Sequence, residues 1–319
     1  MMTADRRETG DFSAGLSMPW KIFRSRTAIE GRPRPEHIRL YPTNRCNAAC
    51  SFCAIRKWTR GEEIPTPELM ELVRHFHRLG TRAITVSGGG EPTLHPGFDA
   101  LLDLAGELDI QLGLITNGLL WSDAPKKLPA NGRLVWARMS VVDSESGNYD
   151  VGRLRRFSRN LSETAVGCYA TITSRSSVDT IRALADLAEE LPNVTHFKLG
   201  EDTVSGAGEK MSELADLLKP GHGKVIVHRH EGAVRGAKRC LVSLVRPVAA
   251  ADGYVYPCCS MELEDLGQVR PDRFRMTRWR DFGADTGCFD GSICPKCIWD
   301  RYNRVLAALC APMEHERFF

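Results

Sequence analysis

Cys46-Asn47-Ala48-Ala49-Cys50-Ser51-Phe52-Cys53 sets three cysteines within eight residues, spaced by three and then two, with an aromatic directly before the last. A structural zinc site wants four ligands, usually as two separated pairs. One local loop here supplies three. A cubane [4Fe–4S] cluster has four iron corners, each wanting a thiolate, so three cysteines leave one iron open to a molecule with chemistry in it. The run Glu36-His37-Ile38-Arg39-Leu40-Tyr41-Pro42-Thr43 before the loop alternates polar and apolar residues, the period of a strand. Arg56, Lys57 and Arg60 follow, and Thr66-Pro67-Glu68-Leu69 reads as a helix start. The cysteines are therefore expected on a loop leaving the C-terminal end of a first strand, where parallel α/β folds place their chemistry.

Beyond that loop the chain keeps alternating. Helical periods run over Pro67–Leu79, Phe98–Leu108, Val151–Leu161, Val178–Leu191 and Glu209–Leu218. Strand-like runs fall at Ala83–Val86, Gln111–Thr116, Leu134–Val142, Gly167–Thr173 and Val194–Leu199, and a further run, Lys224–His228, leads toward the C-terminal part. Such alternation predicts an α/β fold with a parallel sheet. Six strand–helix units are too few for a closed eight-fold barrel.

The cysteine spacing resembles the signature of the radical S-adenosylmethionine (radical SAM) family, in which SAM chelates the open iron. The resemblance implies a partial (β/α)6 barrel, TIM-like but open, over residues 36–235. Residues 1–35 would be an N-terminal extension without sustained periodicity, and residues 236–319 a small cysteine-rich domain. After the second strand, Ser87-Gly88-Gly89-Gly90-Glu91-Pro92-Thr93 is similar to the family's GGEP turn, whose backbone meets the SAM amino group. Glycine suits a turn that a ligand must approach closely. The same resemblance implies SAM contacts from Phe52, Gly89, Gly90, Glu91, Thr116, Asn117, Arg138 and Ser140, and substrate contacts from Lys198 and Glu201. Cys168, alone in an apolar strand, reads as a small core residue.

Seven of the eleven cysteines lie from residue 240 onward. Cys240, twelve residues, Gly253, four residues, Cys258 resembles the opening of the SPASM and shorter twitch domains of radical SAM enzymes, with Asp252-Gly253 as the hairpin turn. Cys294-Pro295-Lys296-Cys297 is a CxxC knuckle ahead of a helix at Trp299–Leu309. Cys240, Cys258, Cys294 and Cys297 would thus hold an auxiliary [4Fe–4S] cluster. The longer SPASM knuckle is missing, which favours the twitch form; Cys288 and Cys310 leave a second auxiliary cluster open. Cys259, next to a ligand on an extended strand, is expected to point the other way, toward the barrel mouth.

At 319 residues, with 42% hydrophobic and 26% charged, the chain can bury a sizeable core. Its net charge of +3 is too small to argue for nucleic acid or a membrane surface, and neither is expected as partner. There is no signal peptide and no apolar run of membrane-spanning length, so the expected location is the cytoplasm. Cysteine usage without a secretory signal points to metal rather than disulfides.

The resemblance implies that a reduced cluster, fed by a flavodoxin- or ferredoxin-type partner, cleaves SAM to a 5′-deoxyadenosyl radical that takes a hydrogen atom from the substrate. The layout resembles enzymes of antibiotic biosynthesis that act on aminocyclitols and amino sugars, as well as peptide epimerases and thioether-forming maturases. With no leader-binding domain ahead of residue 36, a small polar metabolite of the aminoglycoside, aminocyclitol or amino-sugar type is the expected small-molecule substrate. The expected reaction is epimerisation with the Cys259 thiol as hydrogen donor. Dehydrogenation with the auxiliary cluster as electron acceptor, or maturation of a ribosomal peptide, are the alternatives within the family. Outside it stands a non-enzymatic zinc-knuckle binding protein.

Overall fold

The computed structural model describes residues 34–53, 62–120, 133–142, 145, 147, 149–202, 207–218, 221–228, 235–259, 271–283, 285–294, 297 and 299–309. Arg56, Lys57, Arg60 and Cys310 lie outside them, as does most of the N-terminal extension. Seven strands pair in parallel and in chain order: β1 (His37–Leu40), β2 (Ala83–Val86), β3 (Gln111–Thr116), β4 (Leu134–Val141), β5 (Ala165–Ile172), β6 (Val194–Glu201) and β7 (Val225–His228). Helices α1 (Thr66–Arg78), α2 (Phe98–Glu107), α3 (Gly152–Asn160), α4 (Val178–Glu190) and α5 (Gly208–Leu218) fill the crossovers that follow β1, β2, β4, β5 and β6. The expected α/β class and open barrel are therefore present, with boundaries within a residue or two of the hydrophobic periods.

The strand-like run at 224–228, the last before the C-terminal part, pairs with β6 as a seventh parallel strand, Phe197 opposite Val225 and Gly200 opposite His228. The α5 crossover is long enough to return the chain alongside β6, where the Phe197 N–H donates to the Lys224 carbonyl at 2.8 Å.

On the other side of β1 the sheet also continues. β8 (Val248–Ala249) runs parallel to β1, and β9 (Tyr254–Tyr256) and β10 (Thr277–Arg278) add antiparallel strands beyond it. The β8–β9 turn is the Asp252-Gly253 pair, with Gly253 at φ +80°, a value that favours glycine. Asp252 accepts from the Tyr254 N–H, the Tyr256 hydroxyl (2.7 Å) and the Arg275 guanidinium, which pins the hairpin to the segment leading into β10.

The main core lies between sheet and helices. On α1, Leu69, Leu72, Val73 and Phe76 are buried at the spacing of one helix face. Ala137, Met139 and Val141 of β4 turn toward the helices, so Trp136, Arg138 and Ser140 fall on the concave face. Trp279 and Phe282, just past β10, pack on α1, where the Phe282 carbonyl accepts from His75 Nε2 at 2.8 Å. Cys168 is fully buried among these residues, and burial pushes its thiol up to about 12. No helix among the described residues is long and apolar enough to cross a membrane.

Candidate active site

The cysteine loop leaves β1 as the alternating run requires, and its base is clamped from several sides. The Asn44 N–H donates to the Glu62 carbonyl, and Arg45 reaches Glu63 Oε2 (2.9 Å) and the Leu94 carbonyl (3.0 Å). Cys46 is exposed, while Cys50, Phe52 and Cys53 are half-buried. The Cys53 N–H closes a turn on the Cys50 carbonyl, the Ala48 N–H points at Cys46 Sγ, and the Cys50 thiol meets the Val142 carbonyl at the end of β4. Partial burial, with the negative charges of Glu91 and Cys53, raises the Cys46 thiol, against the pull of the Ala48 N–H and the Asn117 amide.

The glycine turn after β2 lies directly on this loop. The Gly90 N–H donates to the Thr43 carbonyl (3.0 Å) and the Glu91 N–H to that of Arg45 (2.8 Å). A Cβ on Gly90 would sit 2.0 Å from the Arg45 carbonyl oxygen, so the two loops can approach this closely only with glycine there. Gly89 is half-buried beside it. The Glu91 carboxylate is 2% exposed and joins two strand ends: it accepts from the Thr93 N–H and hydroxyl, from Thr116 Oγ1 (2.7 Å) and from the Asn117 N–H (2.7 Å). Asn117 in turn donates through Nδ2 to Asn47 Oδ1 at 2.8 Å and reaches Cys46 Sγ at 3.9 Å. Thr116 and Asn117 thus direct their polar groups to Glu91 and to the cysteine loop, a cross-brace that spacing alone does not reveal.

Replacing Gly90 with Ala is expected to force the two loops apart. Overpacking of this kind costs about 1–3 kcal/mol, so SAM affinity should fall about tenfold or more. Equilibrium dialysis with labelled SAM checks this, and unchanged affinity would remove the turn from the SAM site.

Glu145 escaped the sequence reading, as nothing local marks it. It accepts from Ser51 Oγ in the cysteine loop, from Thr173 Oγ1 past β5 (2.8 Å) and from Arg175. Below these loops the concave face encloses a cavity of about 330 Å³, within the range of small-molecule sites. Arg138 and Lys198 line it, together with His37, Arg39, Trp136, His196 and Arg246. The Arg138 guanidinium stacks 5.0 Å from the centre of the Tyr169 ring, and a Cβ on Gly200 would strike the Tyr169 hydroxyl at 1.9 Å. Ser140 shares the Arg138 face one layer nearer the loops, paired with Tyr169. Glu201, at the end of β6, is half-buried and does not line the cavity.

The C-terminal cysteines gather in a knot. Residues 236–240 lie against 289–294: the Gly236 N–H donates to the Cys294 carbonyl (3.0 Å), the Cys240 N–H to that of Phe289 (2.9 Å), and side chains on Gly236 or Gly291 would collide with the opposing backbone. Cys240, Cys258, Cys259, Cys288 and Cys297 all pack on one apolar cluster formed by α6 (Val242–Val245) with Leu241, Trp299 and Leu306, the last on α7 (Asp300–Leu309). Asn303 of α7 ties the knot by accepting from the Leu241 N–H and donating to the Arg239 carbonyl. Burial, with Cys297 and Cys288 nearby, pushes the Cys240 thiol up to about 12. Cys288 therefore joins the group that the spacing restricted to Cys240, Cys258, Cys294 and Cys297.

β9 ends at Tyr256; Cys258 and Cys259 both touch the apolar cluster around α6, and Cys259 also packs on the one formed by Tyr41, Val248 and Tyr256. Burial pushes the Cys259 thiol up, but the Arg39, Arg246 and Arg138 guanidiniums outweigh it and leave the thiol below its usual value.

Among the described residues no three His, Cys, Asp or Glu side chains stand as a ready-made metal-ion site. The donor chemistry is nevertheless that of iron–sulfur clusters: free thiols in two separate sets, one of three and one of four or more. The first set lies against a glycine turn that a Cβ would block. On these grounds Cys46, Cys50 and Cys53 suit a SAM-binding [4Fe–4S] cluster, and the C-terminal knot an auxiliary one.

The chain is similar to several known proteins. The profile of the Radical SAM superfamily matches residues 40–197. The sporulation killing factor maturation protein SkfB of Bacillus subtilis is 26% identical over 259 residues, 73% of this chain and 61% of its own. The GTP 3′,8-cyclase of Staphylococcus aureus is 30% identical over 124 residues, 35% of this chain and 36% of its own. The chain thus spans less than two thirds of the length of either relative. Among solved structures, Streptococcus suis SuiB bound to the precursor peptide SuiA superposes with a TM-score of 0.54 at 14% identity, covering 86% of this chain and 71% of SuiB. The protein anSMEcpe, with AdoMet and a peptide bound, gives 0.55 at 15%, covering 88% and 85%.

Proposed function

The chain belongs to the radical SAM superfamily, and on that premise we propose that it inverts a carbon centre of a small polar metabolite held in the barrel cavity, with the Cys259 thiol as hydrogen donor. When bound, the lead cluster and SAM supply a 5′-deoxyadenosyl radical that removes one hydrogen atom from the substrate. Gly90 and Glu91 hold the turn that receives SAM, and Asn117 ties that turn to the cysteine loop. The barrel wall excludes water from the radical and orients the C–H bond.

One observation carries the reading. Cys259 stands within electrostatic reach of Arg39, Arg138 and Arg246, all three of which line the cavity away from the cysteine loop. On this reading the thiol would meet the substrate from the side opposite the abstraction. In that step the S–H bond breaks and a new C–H bond forms, leaving a sulfur-centred radical. One electron from a flavodoxin- or ferredoxin-type reductant and one solvent proton would restore the thiol.

The test is Cys259→Ala in deuterated water. The parent protein should place one solvent deuterium at the inverted carbon. The variant should still form 5′-deoxyadenosine but release no inverted product. Full yield of product from the variant would remove Cys259 from the chemistry and favour dehydrogenation, which needs no such donor. The similarity to SkfB, a maturation protein, supports a second reading in which the substrate is a peptide; turnover of a short peptide but not of small metabolites would favour it.

A further inference from the structure

Trp299, at the head of α7, carries a buried donor into the C-terminal knot. The residue is 7% exposed, yet its Nε1–H meets no hydrogen-bond acceptor among the described residues. Buried polar groups are nearly always paired, so an orphan of this kind points to a partner that the side chains themselves do not supply. The indole is also held in place. The Arg246 guanidinium stacks 5.0 Å from its centre, the Tyr302 ring lies 5.7 Å away between centroids, and the Trp299 carbonyl receives the Asn303 N–H at 2.9 Å.

The surroundings narrow the partner to sulfur. Trp299 belongs to the apolar cluster built on α6, on which Cys240, Cys258, Cys259, Cys288 and Cys297 pack. Apart from Tyr302, the side chains of that cluster offer sulfur alone as an acceptor. Backbone N–H groups already face two of these thiols, those of Val242 and Ser243 at Cys240 and that of Trp299 itself at Cys297. Hydrogen bonds to sulfur are one of the means by which a protein sets the potential of an iron–sulfur cluster.

We infer that the Trp299 Nε1–H donates to a sulfur of the auxiliary cluster, a thiolate or a sulfide, and so holds the reduction potential of that cluster up. This goes beyond the reaction proposed above and does not depend on it; it rests on the assignment of an auxiliary [4Fe–4S] cluster to the knot. A donated hydrogen bond offsets negative charge on sulfur, and the reduced cluster carries one electron more than the oxidised one, so the donor favours reduction. Arg246 works in the same direction, since a cation over the ring face draws charge from the indole and strengthens its N–H as a donor. Because Arg246 also lines the barrel cavity, this stacked pair links the cavity wall to the knot.

The test uses the full chain with Cys46, Cys50 and Cys53 replaced by Ala and reconstituted with iron and sulfide, so that the auxiliary cluster is the one that remains. Its reduction is titrated under EPR in this background and in the same chain carrying Trp299→Phe, which keeps a ring and removes the donor. The equilibrium should move about tenfold away from the reduced form, which is about 59 mV lower for a one-electron couple. Loosening of the site alone would admit water, which favours the more highly charged reduced cluster and moves the potential the other way. An unchanged or higher potential therefore overturns the inference. Iron content and thermal melting verify that the variant keeps its cluster and its fold. Where Trp299→Phe loses the cluster, a chain with an isotope label on its indole nitrogens decides without the substitution: pulsed EPR of the reduced cluster should show a coupling to labelled nitrogen, and its absence overturns the inference. A background chain that takes up no iron defeats the auxiliary cluster and this inference together. About four irons with an unshifted potential defeat the inference alone.

Discussion

Changing Cys46, Cys50 or Cys53 to Ala should abolish formation of 5′-deoxyadenosine from SAM while leaving the fold intact. The three thiols form the only donor set on the loop that leaves β1, and two of them cannot hold three corners of a cubane. The fold should tolerate the change because the thiols are exposed or half-buried and the loop is anchored by other groups. Its base is fixed by Arg45 on Glu63 and Leu94, by the Thr43 and Arg45 carbonyls receiving the Gly90 and Glu91 N–H groups, and by Asn117 on Asn47. Surface substitutions of this kind usually shift stability by no more than about 0.5 kcal/mol. Anaerobic assay with a chemical reductant measures the nucleoside, and circular dichroism follows the melt. Undiminished nucleoside from any of the three variants would sink the assignment of the lead cluster.

The second large effect concerns iron. With a lead and an auxiliary cubane, the reconstituted protein should hold about eight irons per chain, and a triple Ala variant at Cys46, Cys50 and Cys53 about four. Replacing Cys240 and Cys297 together should remove the other half, because both lie in the knot where Cys240 packs beside Cys297 and Cys288. That variant should also lose thermal stability. Residues 236–240, 289–294 and α7 meet through a few backbone bonds, the Asn303 side chain and one apolar cluster, so a shared metal cluster would fasten them. Retention of zinc and no iron by the lead-loop variant would contradict the auxiliary cluster. A Cys288→Ala variant then tells whether the fifth thiol of the knot is a ligand: loss of about four irons makes it one, on the same cubane count.

Much of this could be read along the chain because the signals are local. A period of two or 3.6 residues exposes one face of a strand or helix to the core, so β2 and β3 start and end where the hydrophobic runs do. The glycine turn and the Asp252-Gly253 hairpin are equally local, set by backbone conformations that few other residues adopt. Cysteine spacing, too, survives in one dimension when three ligands share a single loop.

What the chain alone could not supply was partnership between distant segments. Lys224–His228 has the composition of a strand, but only the α5 crossover decides that it pairs with β6. Cys258 and Cys259 follow a strand, but only the tertiary structure brings Cys259 against both the apolar cluster around α6 and the one around Tyr256. Glu91 stands in the sequence only as part of the glycine turn, whereas its carboxylate joins β2 to β3 and, through Asn117, to the cysteine loop. Arg39 and Arg246 are separated by about two hundred residues and carry no motif; β8 pairing with β1 brings them to one wall. Sequence period determines which way a side chain faces, but register and crossover length determine what it meets there.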